Sequence, residues 1–342
     1  ATGSNTSYTV DSDKLVIKPP SNLSSLYNLF NDYSSNNNEN LDNDLNCKYY
    51  DINDLNNLNT ENNSSLSLFH LNISSLSKHI DSLQNLLTSS KINFDVIAIS
   101  ESRINKDNIS SHNINLQNYS FDYCPTESSA GGTVLYIKNT LSYISRPNLQ
   151  IYKPYQLESN FIEIINPKKS NIIIGCIYRH PSMDLEEFNE SYLSILLDKL
   201  SKENKSVFLL GDFNVDLLKY DNHNPTNDFL DSLSSNHFLP QILLPTRITI
   251  SSKTLIDNIF TNKITHDNIS GNISASISDH LPQFSIIPDI FSNAPFPKSN
   301  IFERVWSNFD QHNFILDFFS IDWKQTLNLE EKGVNESFQS FL

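Results

Sequence analysis

The chain is poor in charge: only 18% of its 342 residues are Asp, Glu, Lys or Arg, and among these the acids outnumber the bases 39 to 24. The resulting net charge of -15 excludes a protein that grips nucleic acid chiefly through a basic surface, because neutralisation of phosphates by Lys and Arg supplies most of such binding. Nucleic acid as a substrate is not excluded, and a metal site would account for several of the acids. Cysteine is scarce as well. Cys47, Cys124 and Cys176 cannot close into a set of disulfides, and the latter two sit in apolar, strand-like runs where a free thiol is a small hydrophobe, so a reducing compartment is expected. A run of about 18 apolar residues occurs nowhere, and the opening "ATGSNTSYTV" lacks the basic and apolar regions of a secretion signal. No membrane span and no secretion signal are expected, and the missing initiator Met suggests a true start further upstream.

What is present changes along the chain. Residues 1–62, with "NDYSSNNNENLDNDLN", read as a largely disordered polar arm. From Ser65 onward, "SLSLFHLN", "FDVIAISE", "TVLYIKN", "FIEII", "NIIIGCIY" and "SVFLLGDFN" are rich in Ile, Val, Phe and Tyr and bounded by turn residues, as strands are. Between them the spacing predicts helices. Leu76, Ile80, Leu83 and Leu87 share one face, as do Phe188, Tyr192, Ile195 and Leu200, and a third helix is expected over Asn227 to Ser235. After Pro288 a Pro- and Ser-containing linker precedes "NFDQHNFILDFFSIDWKQTL", which predicts an amphipathic tail helix. The expected parts are therefore the arm (1–62), a core domain (63–289), and a linker with helical tail (290–342).

The predicted strands share a chemistry at their ends. They finish in or beside Asn72, Glu101, Tyr178, Asp212 and Asn214, while "TLIDNIF" contributes Asp257 and "ISDH" contributes Asp279 and His280. Any one of these, taken alone, is better read as an ordinary polar strand end. Together they carry more weight, because ligands gather at the carboxyl ends of strands and four carboxylates in a small space repel one another without a cation. Oxygen donors without Cys select a hard metal, Mg2+ or Mn2+. Asp212 and Asn214 are two apart, so in extended chain they face the same side. A carboxylate that activates water beside an amide that contacts a phosphate oxygen suits phosphodiester hydrolysis, and an acid such as Asp257 would favour the charged ring of His280.

The ordered series Asn72, Glu101, Tyr178 in "IYRHP", then "GDFN", "LIDNIF" and "SDHLPQF", resembles the endonuclease/exonuclease/phosphatase superfamily. Within it, the chain more closely resembles the apurinic-endonuclease-like domain of non-LTR retrotransposons, over about Ser65 to Ile287. "HLNISSL", "AGGTVLYIKN" and "PTRITISSKTLIDNIF" strengthen the likeness, and Tyr178 stands where phosphatases and sphingomyelinases of the superfamily carry a histidine. The resemblance implies an α/β four-layer sandwich: two mixed, mostly antiparallel sheets packed face to face with helices outside. It implies that Glu101 binds Mg2+ (or Mn2+) with Asn72 nearby, that Asp212 activates the attacking water, and that Asn214 and Tyr178 contact the scissile phosphate. Asp257 would then orient His280, and Asp279 would support the metal or His280.

The implied product is nicked DNA with a 3′ hydroxyl that primes reverse transcription. The implied partners are DNA and a reverse transcriptase fused downstream, with no membrane and no small-molecule cofactor. The fragment is expected to be monomeric, and the active protein intracellular and nuclear. Three positions depart from the family pattern: Ser74 replaces an Arg, "ESR" at Glu101 to Arg103 replaces "ETW", and "YRHP" replaces "YRPP". A phosphatase or phospholipid diesterase on the same fold, and a non-catalytic retroelement relic, stay open as alternatives at this point.

Overall fold

In the computed structural model, the described residues are 47–58, 64–107, 113–263, 267–291 and 310–323. Their strands are β1 Cys47–Tyr50, β2 Leu66–Asn72, β3 Val96–Ser100, β4 Tyr119–Cys124, β5 Thr133–Lys138, β6 Tyr143–Ser145, β7 Tyr152–Lys153, β8 Leu157–Ile164, β9 Ile172–Arg179, β10 Ser206–Asp212, β11 Leu239–Pro240, β12 Arg247–Ile248, β13 Lys253–Thr254, β14 Asp257–Thr261, β15 Ile269–Ile273 and β16 Gln283–Ile287. Two seven-stranded sheets form. One runs β1-β15-β16-β2-β3-β5-β4; the other runs β11-β14-β10-β9-β8-β6, with β7 also paired to β8. The sheets are mixed, with parallel pairs β2–β3 and β9–β10 at their centres, and helices cover them, giving the expected α/β sandwich.

The strand sequences explain the layers. Side chains alternate between the two faces of a strand, and in β2 both faces are apolar, as strands covered on both sides require. Leu66 and Leu68 join Val96, Ala98, Leu135 and Ile137 in one core with the second sheet. Phe69 and Leu71 join Ile97, Ile99, Val134 and Tyr136 in the other core, under helix α2 (Leu76–Ser89). The stripe that begins with Leu66 and Leu68 continues, two residues at a time, to His70 and Asn72. The face between the sheets is thus apolar in its middle and polar at one rim.

Helix α2 buries Leu76, Ile80 and Leu83, as its spacing predicts. The second predicted helix is broken: α3 (Leu185–Phe188) and α4 (Ser194–Ser201) flank a π turn at Asn189–Leu193. The wider turn advances the apolar face, so Leu193, Leu196 and Leu197 are buried while Ile195, expected inside, is half exposed. Helix α5 spans Asn224–Ser235, three residues earlier than expected because Pro225 suits the first turn.

The polar arm is shorter than expected. Cys47–Tyr50 pairs in parallel with β15, and α1 (Ile52–Asn56) follows, capped by Asp51 and anchored by the buried Leu55. Four residues, "CKYY", are too few to show a period against the Asn-rich sequence before them; the rest of the arm lies outside the described residues. The chain divides after Asn293. In the second unit, α6 (Gln311–Ser320) is capped by Asp310, whose carboxylate accepts from His312 and Asn313 N–H; the linker and the end of the tail lie outside the described residues. No helix among the described residues is long and apolar enough to cross a membrane.

Candidate active site at the strand ends

The carboxyl ends of β2, β3, β9 and β10 and the start of β14 reach the same rim. β10 pairs with β9 so that Asp212 stands beside Tyr178, and with β14 so that Asp212 stands beside Asp257. Two carboxylates directly opposite across an antiparallel pair destabilise each other unless something compensates. The compensation is His280. Its Nδ1 lies 2.8 Å from Asp257 Oδ2, and the same oxygen accepts from Thr246 Oγ1 at 2.6 Å.

Burial disfavours the charged ring of His280, but the charge and hydrogen bond of Asp257, with Asp212 and Asp279 nearby, overcome it and push its pKa up to about 9. Burial likewise works to raise Asp257, yet the imidazolium holds its carboxyl below the usual range. Asp212 is different: burial first and the Asp257 charge second push it up to about 7, against the pull of His280, Asn72 and the Asn214 N–H. The pair Asp257–His280 is therefore ionised at neutral pH, and Asp212 is a carboxyl poised to lose or take a proton there.

Asn72 links the two sheets. Its Nδ2 donates to Asp212 Oδ2 at 2.8 Å and to Glu101 Oε1 at 3.1 Å, while its Oδ1 accepts from Ser74 N–H at 3.1 Å. Tyr178 Oη donates to the same Glu101 oxygen at 3.2 Å. Burial and then the charges of Glu101 and Asp212 raise the phenol far above its ordinary range, so it stays a donor.

Glu101 and Asn72 were expected to share a cation. The Glu101 carboxylate, its side chain 18% exposed, offers hard oxygen to solvent and is drawn together by two donors, which fits Mg2+ or Mn2+. The amide of Asn72 turns its nitrogen to the carboxylates and its oxygen to Ser74 N–H, so in this arrangement it bridges Glu101 and Asp212. Among the described residues, Asp212, Asp257 and His280 also bring ligand atoms within 4.8 Å of one another, but an imidazolium repels a cation.

The extended geometry expected for Asp212 and Asn214 does not hold. β10 ends at Asp212, and Asn214 has φ +51°, a left-handed conformation that Asn tolerates better than most residues. The turn lets Asn214 N–H donate to Asp212 Oδ1 at 2.9 Å, and its side-chain amide donates to Arg179 O at 2.7 Å. Gly211 serves its neighbouring strand: a Cβ there would collide with Ile177 O of β9.

Asp279 also departs from expectation. Half exposed, it turns outward to Arg247 on the β12–β13 hairpin, whose Nη2 and Nε both reach its Oδ2 (2.7 and 2.8 Å). It acts on His280 through charge alone. The departures at Ser74 and Arg103 meet in space: Arg103 Nη2 donates to Ser74 Oγ at 3.1 Å and lies 3.5 Å from Glu101 Oε2. A guanidinium thus stands next to residue 74 although residue 74 is serine.

Residue-by-residue reading missed four supports. Thr246 is fully buried, donates to Asp257 and accepts from Ile256 and Asp257 N–H. Ser278 Oγ donates to Asn72 O at 2.6 Å and ties the "ISDH" turn to β2. Arg179, buried, donates to Phe213 O and Asn214 O, each at 2.6 Å. His70 lies beneath the site between Gln283 and Ser100, and burial keeps its ring neutral. The one available signal was the period-2 stripe, which carries His70 to the same face as Asn72.

The AP endonuclease of Leishmania major superposes with a TM-score of 0.53 at 15% identity, covering 66% of this chain and 88% of that one. The endonuclease domain of TRAS1, a telomere-specific non-LTR retrotransposon, gives 0.47 at 12% identity over 66% and 99%. The 3′-5′ exonuclease of Neisseria meningitidis gives 0.49 at 14% over 65% and 100%. No curated protein matches the sequence. Residues 58–280, well over half of the chain, match the sequence profile of one family. The chain belongs to the Endonuclease/Exonuclease/phosphatase family, whose fold is a hydrolase fold and whose enzymes are typically dependent on a divalent metal.

Proposed function

We propose that the chain is a divalent-metal-dependent DNA endonuclease that nicks target DNA and leaves a 3′ hydroxyl for reverse transcription. The observation that carries this reading is one hydrogen-bonded chain, Tyr178–Glu101–Asn72–Asp212, facing the Asp257–His280 ion pair. Asp212, with its pKa near 7, accepts the proton of the attacking water as a general base. His280, held cationic by Asp257, faces a nonbridging phosphate oxygen and stabilises the charge that grows there. Tyr178 Oη and the amide of Asn214 orient the phosphate. Glu101 would hold the divalent ion, Mg2+ being our choice, which when bound supplies Lewis-acid stabilisation of phosphate charge.

The tyrosine at the end of β9 supports a nuclease over a phosphatase, since sister branches carry histidine there. The retrotransposon setting rests on "HLNISSL", "AGGTVLYIKN" and "PTRITISSKTLIDNIF", and with it a nuclear site of action and a downstream reverse transcriptase. The test is relaxation of supercoiled plasmid by the purified chain with Mg2+ or with EDTA, beside Asp212→Asn and His280→Ala. Nicking that needs the metal and is lost in both variants is expected. An intact plasmid across salt conditions, with hydrolysis of a phosphate monoester instead, would assign the chain to the phosphatases.

A further inference from the structure

The segment that carries Glu101 is held in an unusual shape. Glu101 has φ +48° and Arg103 φ +55°, values that non-glycine residues keep only when their surroundings enforce them. Enforcement comes from two sides. On one, the first turn of α2 donates: Ser75 N–H to Glu101 O and Leu76 N–H to Ser102 O, both at 2.9 Å. On the other, the "AGG" turn accepts: Ser102 N–H donates to Gly132 O at 3.0 Å and Arg103 N–H to Gly131 O at 2.8 Å. Ser102 between them is fully buried.

The "AGG" turn itself rests on an acid that the proposed chemistry does not use. Glu158, on β8, is 2% exposed, and its Oε2 accepts from Gly132 N–H. Its other oxygen, Oε1, is buried with no hydrogen-bond partner, an arrangement costly enough to require a reason. Both glycines are needed for it. Gly131 and Gly132 have φ +110° and +80°, a Cβ on Gly131 would strike the Glu158 carboxylate, and a Cβ on Gly132 would strike Ser102 Oγ. Glu158 reaches Glu101 by a second path too. It is the register partner of Tyr178, on the same sheet face, and Tyr178 Oη donates to Glu101.

We infer that Glu158 is a positioning residue for Glu101: its buried carboxylate fixes the Gly131–Gly132 turn, which clamps Ser102 and Arg103 and so sets where the Glu101 carboxylate stands. The inference rests on the reading of Glu101 as the side chain that holds the divalent ion. An apolar residue at position 158 would fill the space without gripping Gly132 N–H. The requirement is for an acceptor rather than a charge, so glutamine serves and alanine does not.

The experiment uses the full chain and two readouts besides nicking: amide hydrogen exchange at residues 101–104 and 131–133, and Mn2+ binding followed by loss of the free-ion EPR signal. Glu158→Ala is expected to speed exchange at Ser102 and Arg103 at least tenfold and to weaken Mn2+ binding by about tenfold, the scale seen for partners that orient a ligand. Glu158→Gln is expected to match wild type in both. If alanine at 158 prevents folding, Glu158→Asp, one methylene too short to reach Gly132, is expected to give the same two changes. Wild-type exchange and wild-type Mn2+ affinity in the alanine or aspartate variant would overturn the inference, even with nicking intact in wild type. A wild-type chain that binds no Mn2+ while exchange still responds would instead sink the cation reading of Glu101 and leave the clamp standing.

Discussion

Arg179 and Asn214 hold each other by their main chains: the guanidinium donates to Asn214 O at 2.6 Å, and the Asn214 amide donates to Arg179 O at 2.7 Å. The bond from Arg179 Nε to Phe213 O completes a clasp around the turn after Asp212. Lysine keeps the charge but cannot span both carbonyls. Arg179→Lys is expected to cost about 3 kcal/mol through the buried bonds it leaves unmade, lowering Tm by roughly 6 to 12 °C for a domain of this size. At 25 °C, with the variant still folded, nicking should fall at least about tenfold because Asn214 no longer aims at the phosphate. Thermal melts beside initial nicking rates check both.

The rate should depend on pH through two groups. Asp212 must be unprotonated and His280 protonated, so nicking is expected to rise as pH passes about 7 and to fall as it passes about 9. A profile flat from pH 6 to 10 would remove Asp212 and His280 from these roles.

Stability should run the other way. Asp212 is raised from an ordinary 3.8 and His280 from 6.5, so the folded state binds more protons than the unfolded one across both intervals. The contribution of each is complete at low pH and is lost as pH rises through about 7 and then about 9. Asp212→Asn removes the first of these losses. Its Tm relative to wild type is therefore expected to climb between pH 3.8 and about 7, while its nicking is abolished.

Thr246 couples the hairpin to the ion pair. Thr246→Val keeps the shape and removes the hydroxyl that donates to Asp257 and accepts from two main-chain N–H groups. The expected cost is about 2 kcal/mol, from groups left unsatisfied in the interior, with a lower kcat. Thr246→Ser is expected to keep both stability and rate near wild type, which a purely apolar role for Thr246 would not allow.

Arg103 stands beside Glu101 and is partly exposed on an acidic chain. Arg103→Ala should weaken DNA binding to a similar degree for all sequences and make the dependence of log K on log salt shallower by about 0.9. Placing the arginine at the family position instead, as Ser74→Arg with Arg103→Trp, should restore that slope.

How much of this was written in the sequence differs from residue to residue. The strands and their chemistry were legible because a period-2 stripe carries its own end: Leu66, Leu68, His70, Asn72 reads inward whatever the neighbours do. Asp257 and His280 were legible together because "TLIDNIF" and "ISDH" follow "GDFN" in the order of the family pattern. The turn at Asn214 was not, since φ +51° is imposed by Arg179 from another strand rather than by local propensity. Thr246 hides among Ser and Thr residues that look like loop. The π turn at Asn189–Leu193 leaves a helical pattern intact to either side, so the phase change shows only in which leucines are buried. Asp279 looked equivalent to its neighbour His280 until the hairpin arginine drew it outward.

The inward stripe of β2 has a further consequence. Because depth is counted in pairs of residues, the strand works as a ruler with its zero in the apolar core and its last mark at Asn72. A substitution changes one mark; a single inserted or deleted residue between 66 and 72 moves every mark beyond it to the opposite face. It would send Asn72 under helix α2 and bring a hydrophobe between Glu101 and Asp212. The gene should therefore accept many point changes along this strand and almost no change in its length, an asymmetry that a saturating library of substitutions and single-codon indels would display directly.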